Sequence, residues 1–153
     1  MKVRYVSFLP KAFRKDLEEL LFFHPDQGRF QKTIVESVNR FGVPAIVSHE
    51  QTGGLGISIG ALGPVQSLFA LASEDGTEEH LAGAILFHRA QPELVEILHL
   101  VVAPDYLLQG GSSRPAVAIE LIETVRAAAR RIKGVERVCL HYSRGQPTLL
   151  RVR

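Results

Sequence analysis

The chain has 153 residues, 46% of them hydrophobic and 22% charged, a balance that suits one globular domain and excludes a disordered or fibrous chain. A formal net charge of +2 gives no electrostatic ground for a nucleic-acid partner. No apolar run reaches the ~18 residues of a membrane-spanning helix, so no membrane partner is expected. The single cysteine, Cys139, excludes an internal disulfide and suits a reducing cytoplasm, and MKVRYVSFLPKAFRKD lacks the apolar stretch and cleavage site of a secretion signal.

In chain order, KVRYVSFL (residues 2–9) has the composition of a first strand, and Pro10 opens AFRKDLEELLFF, where Phe13, Leu17, Leu20 and Leu21 recur at helical spacing. HPDQG (24–28) breaks that helix, and RFQKTIVESVNRF predicts a second one with Gly42 as its stop. VPAIVSH reads as extended, whereas QTGGLGISIGALGP (51–64) carries five glycines and gives no clear period. It does not open a helix, so it is no dinucleotide fingerprint and reads instead as a hairpin or flap.

The pattern then sharpens. VQSLFALAS, EDGTEE and HLAGAILFHRA predict a hairpin turning at Asp75-Gly76. A second turn at Gln91-Pro92 leads into ELVEILHLVVAP, a long strand ended by Pro104. A helix over roughly 115–133 follows, with Val117, Leu121, Val125 and Ala129 on its apolar face, and Gly134 ends it. VERVCLHY predicts a strand, and Thr148 to Val152 a last short one. The expectation is one α/β domain over 1–153. Its mixed sheet combines antiparallel strands with one parallel strand–helix–strand crossover, unlike the regular alternation of a doubly wound nucleotide fold.

Three stretches carry a resemblance to a known family: MKVRYVSFLPKAFRKDLEELL, FALASEDGTEEHLAGAILF and, most specifically, LVVAPDYLLQGG. In the last, Leu100, Val102, Pro104 and Gly110 fall at the spacing of a strand-plus-loop signature. The chain resembles the GNAT superfamily of acyl-CoA N-acyltransferases. It departs from the family pattern at Leu107, where an arginine is usual, at Ser112, where a second glycine is usual, and at Pro115. It also reaches its last residue soon after VERVCLHY, which suggests a divergent member with a shortened C-terminus.

The resemblance implies acetyl-CoA as co-substrate, an amine-bearing acceptor and direct acyl transfer; a non-catalytic module binding CoA or a protein partner is the alternative. It implies that Gln109, Gly110, Gly111, Ser112, Ser113 and Arg114 hold the coenzyme pyrophosphate. Converging backbone N–H groups at a helix start favour an anion, and an arginine can pair with a phosphate. The same loop also fits a plain helix entry, with Ser113 as N-cap and Pro115 in the first turn. The resemblance assigns the backbone of Val101 and Val102, flanked by Leu100, to the pantetheine arm and the thioester carbonyl.

Glu96 is the candidate general base. Strand alternation puts it on the side of Leu98, Leu100 and Val102, where partial desolvation would raise its pKa, and puts His99 on the opposite side. A strand-end glutamate facing solvent or an arginine is the plainer reading. Tyr142 would protonate the leaving thiolate, or else packs at the rim. Cys139 reads as a small core residue, and the six histidines show no metal-ligand spacing, so no metal is expected. A homodimer, in which a partner copy completes the C-terminal end, is an open arrangement.

Overall fold

A computed structural model describes residues 1–22, 42–106, 117–140 and 148–152. Among them run eight strands: β1 (Lys2–Val6), β2 (Pro44–Ser48), β3 (Leu55–Ile59), β4 (Gly63–Ser73), β5 (His80–Gln91), β6 (Leu94–Val102), β7 (Arg137–Leu140) and β8 (Thr148–Arg151). Two α-helices accompany them, α1 (Arg14–Phe22) and α2 (Val117–Arg130). The strands form one mixed sheet in the order β2-β3-β4-β5-β6-β7-β8. β1 and β3 lie end to end on one edge of β4, pairing with Phe69–Ser73 and Gly63–Val65 respectively. Every pairing is antiparallel except that of β6 with β7, which α2 connects. No helix among the described residues is long and apolar enough to cross a membrane.

The expected hairpin at Asp75-Gly76 forms, closed by Thr77, whose backbone N–H donates to the Glu74 carbonyl at 2.9 Å and whose hydroxyl donates to the same oxygen at 2.8 Å. The expected parallel crossover is β6–α2–β7. The glycine-rich stretch is more regular than its composition suggests. It supplies β3 and the turn into β4, with Leu55, Ile57 and Ile59 all buried at a period of two. A Cβ at Gly54 would stand 2.9 Å from the Phe8 Cβ, so close approach of the first segment explains a glycine there. The second helix expected from RFQKTIVESVNRF lies outside the described residues.

The sheet has an apolar core on each face. On one side α2 lays Val117, Leu121, Val125 and Ala129, one residue per turn, against Ala70, Ile85, Phe87, Val95, Ile97 and Val102. On the other, Leu17, Leu20 and Leu21 of α1 cover Phe69, Leu71, Ala84, Leu86 and Leu98. Gly83 sets how closely α2 sits. A Cβ there would meet the Val101 carbonyl oxygen at 3.0 Å and side-chain methyls of Val117 and Leu121 at 3.2 Å. At the sheet's far end two arginines of α2 hold the last strand. Arg126 donates to the Arg151 carbonyl and Arg130 to the Val152 carbonyl, both at 2.6 Å.

Two outcomes follow from these contacts. Gly83→Ala should lower unfolding free energy by about 1–3 kcal/mol, measured by urea denaturation, because backbone and two packed side chains must yield to one methyl. The second concerns Tyr5, whose hydroxyl donates to Glu120 of α2 at 2.6 Å. Burial first, and that hydrogen bond second, push the phenol's pKa up. A raised folded-state pKa contributes stability that is present below the free phenol's value of about 10 and is lost as pH rises beyond it. Tyr5→Phe should therefore lose less stability than the parent chain between pH 9 and pH 11, read by urea unfolding at each pH.

Candidate functional site

Among the described residues Glu96 is the only buried charged side chain, at 6% exposure in the middle of the sheet. Its carboxylate Oε1 lies 2.9 Å from Nε2 of His88, which stands directly across the ladder on β5. On its other side Glu96 is in register with the buried Cys139 of β7. Residues at one rung of adjoining strands share a face, so His88, Glu96 and Cys139 form a row across three strands. That face is the α1 side, because Ala84 and Leu86, alternating with His88 along β5, belong to the α1 core. A charge taken from water needs a hydrogen-bonded partner, and the imidazole supplies one. With its side chain 20% exposed, His88 also keeps a small contact with solvent.

One irregularity decides what else joins this row. Phe87 pairs with Ile97, but the next residue, Leu86, pairs with His99, so Leu98 is an extra residue in β6. The expected placement of Glu96 beside Leu100 and Val102 is therefore corrected. Leu98 packs into the α1 core, whereas Leu100 and Val102 pack with the α2 core. The expected separation of His99 from Glu96 is corrected for the same reason: His99 is opposite Leu86 and lies on the α1 side with Glu96. Simple alternation fails because a bulge adds one residue to one strand and reverses the parity of all that follow.

Of the residues that the resemblance assigns to the coenzyme, Leu100, Val101 and Val102 form the last three positions of β6, each paired with β5. The strand ends where the Ala103 N–H donates to the Ala82 carbonyl at 2.8 Å and the chain turns through Pro104–Tyr106. A cavity of about 840 Å³ opens there, between Lys15 and Glu19 of α1, His80 and Tyr106. Val102 lies six positions beyond Glu96, one of them taken up by the bulge, or roughly 17 Å along the strand, so this cavity belongs to the far end of β6 rather than to the carboxylate. Gln109, Gly110, Gly111, Ser112, Ser113, Arg114 and Tyr142 lie outside the described residues. Among the described residues no three His, Cys, Asp or Glu side chains are grouped to hold a metal ion.

His88 is the residue that reading the sequence missed. Counting back through the Gln91-Pro92 turn from the Gln91–Leu94 rung would pair Glu96 with Arg89. The ladder instead skips Ala90, since Arg89 pairs with Val95, and this hands Glu96 to His88. Compared with protein-family models, with curated proteins and with solved structures, the chain finds no match in any of the three.

The pairing has a direct thermodynamic signature. His88→Leu alone should cost about 1–3 kcal/mol, because it removes a partner of a buried carboxylate. Replacing both His88 and Glu96 by leucine should recover most of that loss, since a buried polar pair exchanged for apolar side chains is often near neutral. Urea unfolding of the two single variants and the double variant measures the coupling.

Proposed function

We propose that this chain is an acetyl-CoA-dependent N-acetyltransferase of the GNAT type, passing the acyl group directly to an amine. The observation that carries the reading is the bulge at Leu98 in β6, the strand to which the resemblance assigns the pantetheine arm. The extra residue bends the strand and re-aims Leu100 and Val102 towards α2. The described ladder with the parallel neighbour β7 meanwhile covers only Leu94–Ile97 of β6. A bent strand beside a parallel neighbour suits an arm that hydrogen-bonds to backbone in the manner of an added strand. In this reading the backbone N–H groups around Leu100, Val101 and Val102 polarise the thioester carbonyl, and Gln109–Arg114 hold the pyrophosphate at the start of α2.

The acceptor enters as an ammonium ion and must lose a proton before its nitrogen can attack. The new C–N bond then forms as the C–S bond breaks, the attacking nitrogen gives up its second proton to solvent, and the departing thiolate takes a proton, for which Tyr142 is the proposed donor. Glu96 is the proposed base. Leu100 lies four positions beyond Glu96, one of them taken up by the bulge, so the two stand roughly 10 Å apart along the strand. A base at that range acts through ordered water rather than by touching the amine. Proximity of the two bound substrates supplies the rest of the acceleration.

Calorimetric titration with acetyl-CoA tests the first step, and absence of binding at millimolar ligand would overturn the reading. Where binding is seen, thiol release measured over a panel of primary amines separates an enzyme from a module that binds coenzyme without turnover. Glu96→Gln should lower kcat by about 10²-fold while leaving acetyl-CoA affinity within about threefold. Bulky replacements at Gly110 and Gly111 should do the reverse and weaken affinity first.

A further inference from the structure

The buried row on the α1 side holds a second group that the proposed transfer does not yet use. We propose that His88 is the positioning residue of Glu96: its Nε2–H donates to the carboxylate and fixes the orientation in which it accepts the acceptor's proton. The inference rests on the N-acetyltransferase reading for its catalytic meaning, and on geometry for the rest.

Three observations support it. The contact is short, 2.9 Å between Nε2 and Oε1, in the range of a charge-assisted hydrogen bond. The two side chains spring from directly opposed residues of antiparallel strands in the middle of the sheet, so their backbones leave little freedom to separate. Glu96 is 6% exposed, and a carboxylate so far from water stays charged only where donors replace its hydration. The imidazole is the partner that β5 brings to it. The neighbouring groups on this face are His99, one step beyond the Phe87–Ile97 rung, and Cys139 on β7, and His88 stands at 2.9 Å from the carboxylate. The bulge contributes as well. It stands immediately after the rung that follows Glu96, so the His88–Glu96 pair is the middle rung of a regular three-rung stretch bounded by the irregularities at Ala90 and Leu98.

The spacing of Glu96 from the thioester gives the arrangement its purpose. A base that works through water depends on the direction in which its oxygens point, because a rotated carboxylate no longer holds the bridging molecule in line with the amine. Positioning and proton relay through the imidazole make opposite demands on a substitute. A glutamine at position 88 can still donate an N–H but cannot carry a proton.

Two measurements on the full chain test this. Long-range proton–nitrogen NMR of the imidazole should show Nε2 of His88 as a protonated nitrogen in the parent chain, and an unprotonated Nε2 would overturn the assignment. In the thiol-release assay His88→Leu should lower kcat by about 10²-fold, with KM for acetyl-CoA little changed. His88→Gln should restore kcat to within about tenfold of the parent chain. Equal loss in the Leu and Gln variants would overturn positioning, as would a change confined to KM. Should the parent chain transfer acetyl to no amine, the N-acetyltransferase reading fails on that result, while the NMR measurement still decides whether His88 holds the carboxylate.

Discussion

The extra residue at Leu98 is the constraint from which the rest of the site follows. In a regular ladder, parity along β6 would carry Glu96, Leu98, Leu100 and Val102 on one face. Inserting one residue against β5 leaves Glu96 on the α1 side with His88 and turns Leu100 and Val102 to the α2 side. One strand thereby serves two faces. Val95 and Ile97 before the bulge and Leu100 and Val102 after it all face α2, while Glu96, Leu98 and Val101 face α1. The strand's backbone edge, where a thioester carbonyl would bind in the proposed reading, stays independent of both.

Close packing around the second half of β6 depends on what is missing from β5. Gly83 pairs with Val102 and lies under the first turns of α2, where Val117 and Leu121 come down on it. The first turn of α2 is therefore seated over the end of β6, and any anion bound at that helix start would lie next to Leu100, Val101 and Val102. The crossover and the strand end thus form one construction rather than two. The Tyr5–Glu120 hydrogen bond adds a tie from β1 to the same turn.

Much of this fold was legible in the sequence because its signals are local. Asp75-Gly76 marks a tight turn by backbone chemistry, and Val117, Leu121, Val125 and Ala129 mark a helix face by period. The parallel crossover follows from a long helix between two apolar strands. The glycine-rich stretch gave a weaker signal, since the reason for Gly54 is the nearness of Phe8, 46 positions earlier in the chain. Glu96 stood out as a lone charge among apolar residues. Its partner did not, because two one-residue insertions, at Ala90 and at Leu98, shift the register without any marker in composition. Bulges are settled by tertiary packing, so faces read by alternation hold only up to the first of them.

The grip of α2 on the last strand has a further consequence. Arg126 and Arg130 reach main-chain oxygens of Arg151 and Val152, atoms that every residue type presents alike. β8 is thus held through its backbone as well as by Leu150 and Val152, which pack into the α2 core, while Leu149 stands half in solvent, at 51% exposure. Substitution is therefore cheap on the solvent face of this strand and costly at Leu150 and Val152. Leu149 is in register with Cys139, so the row of His88, Glu96 and Cys139 ends on a half-exposed leucine at this edge of the sheet.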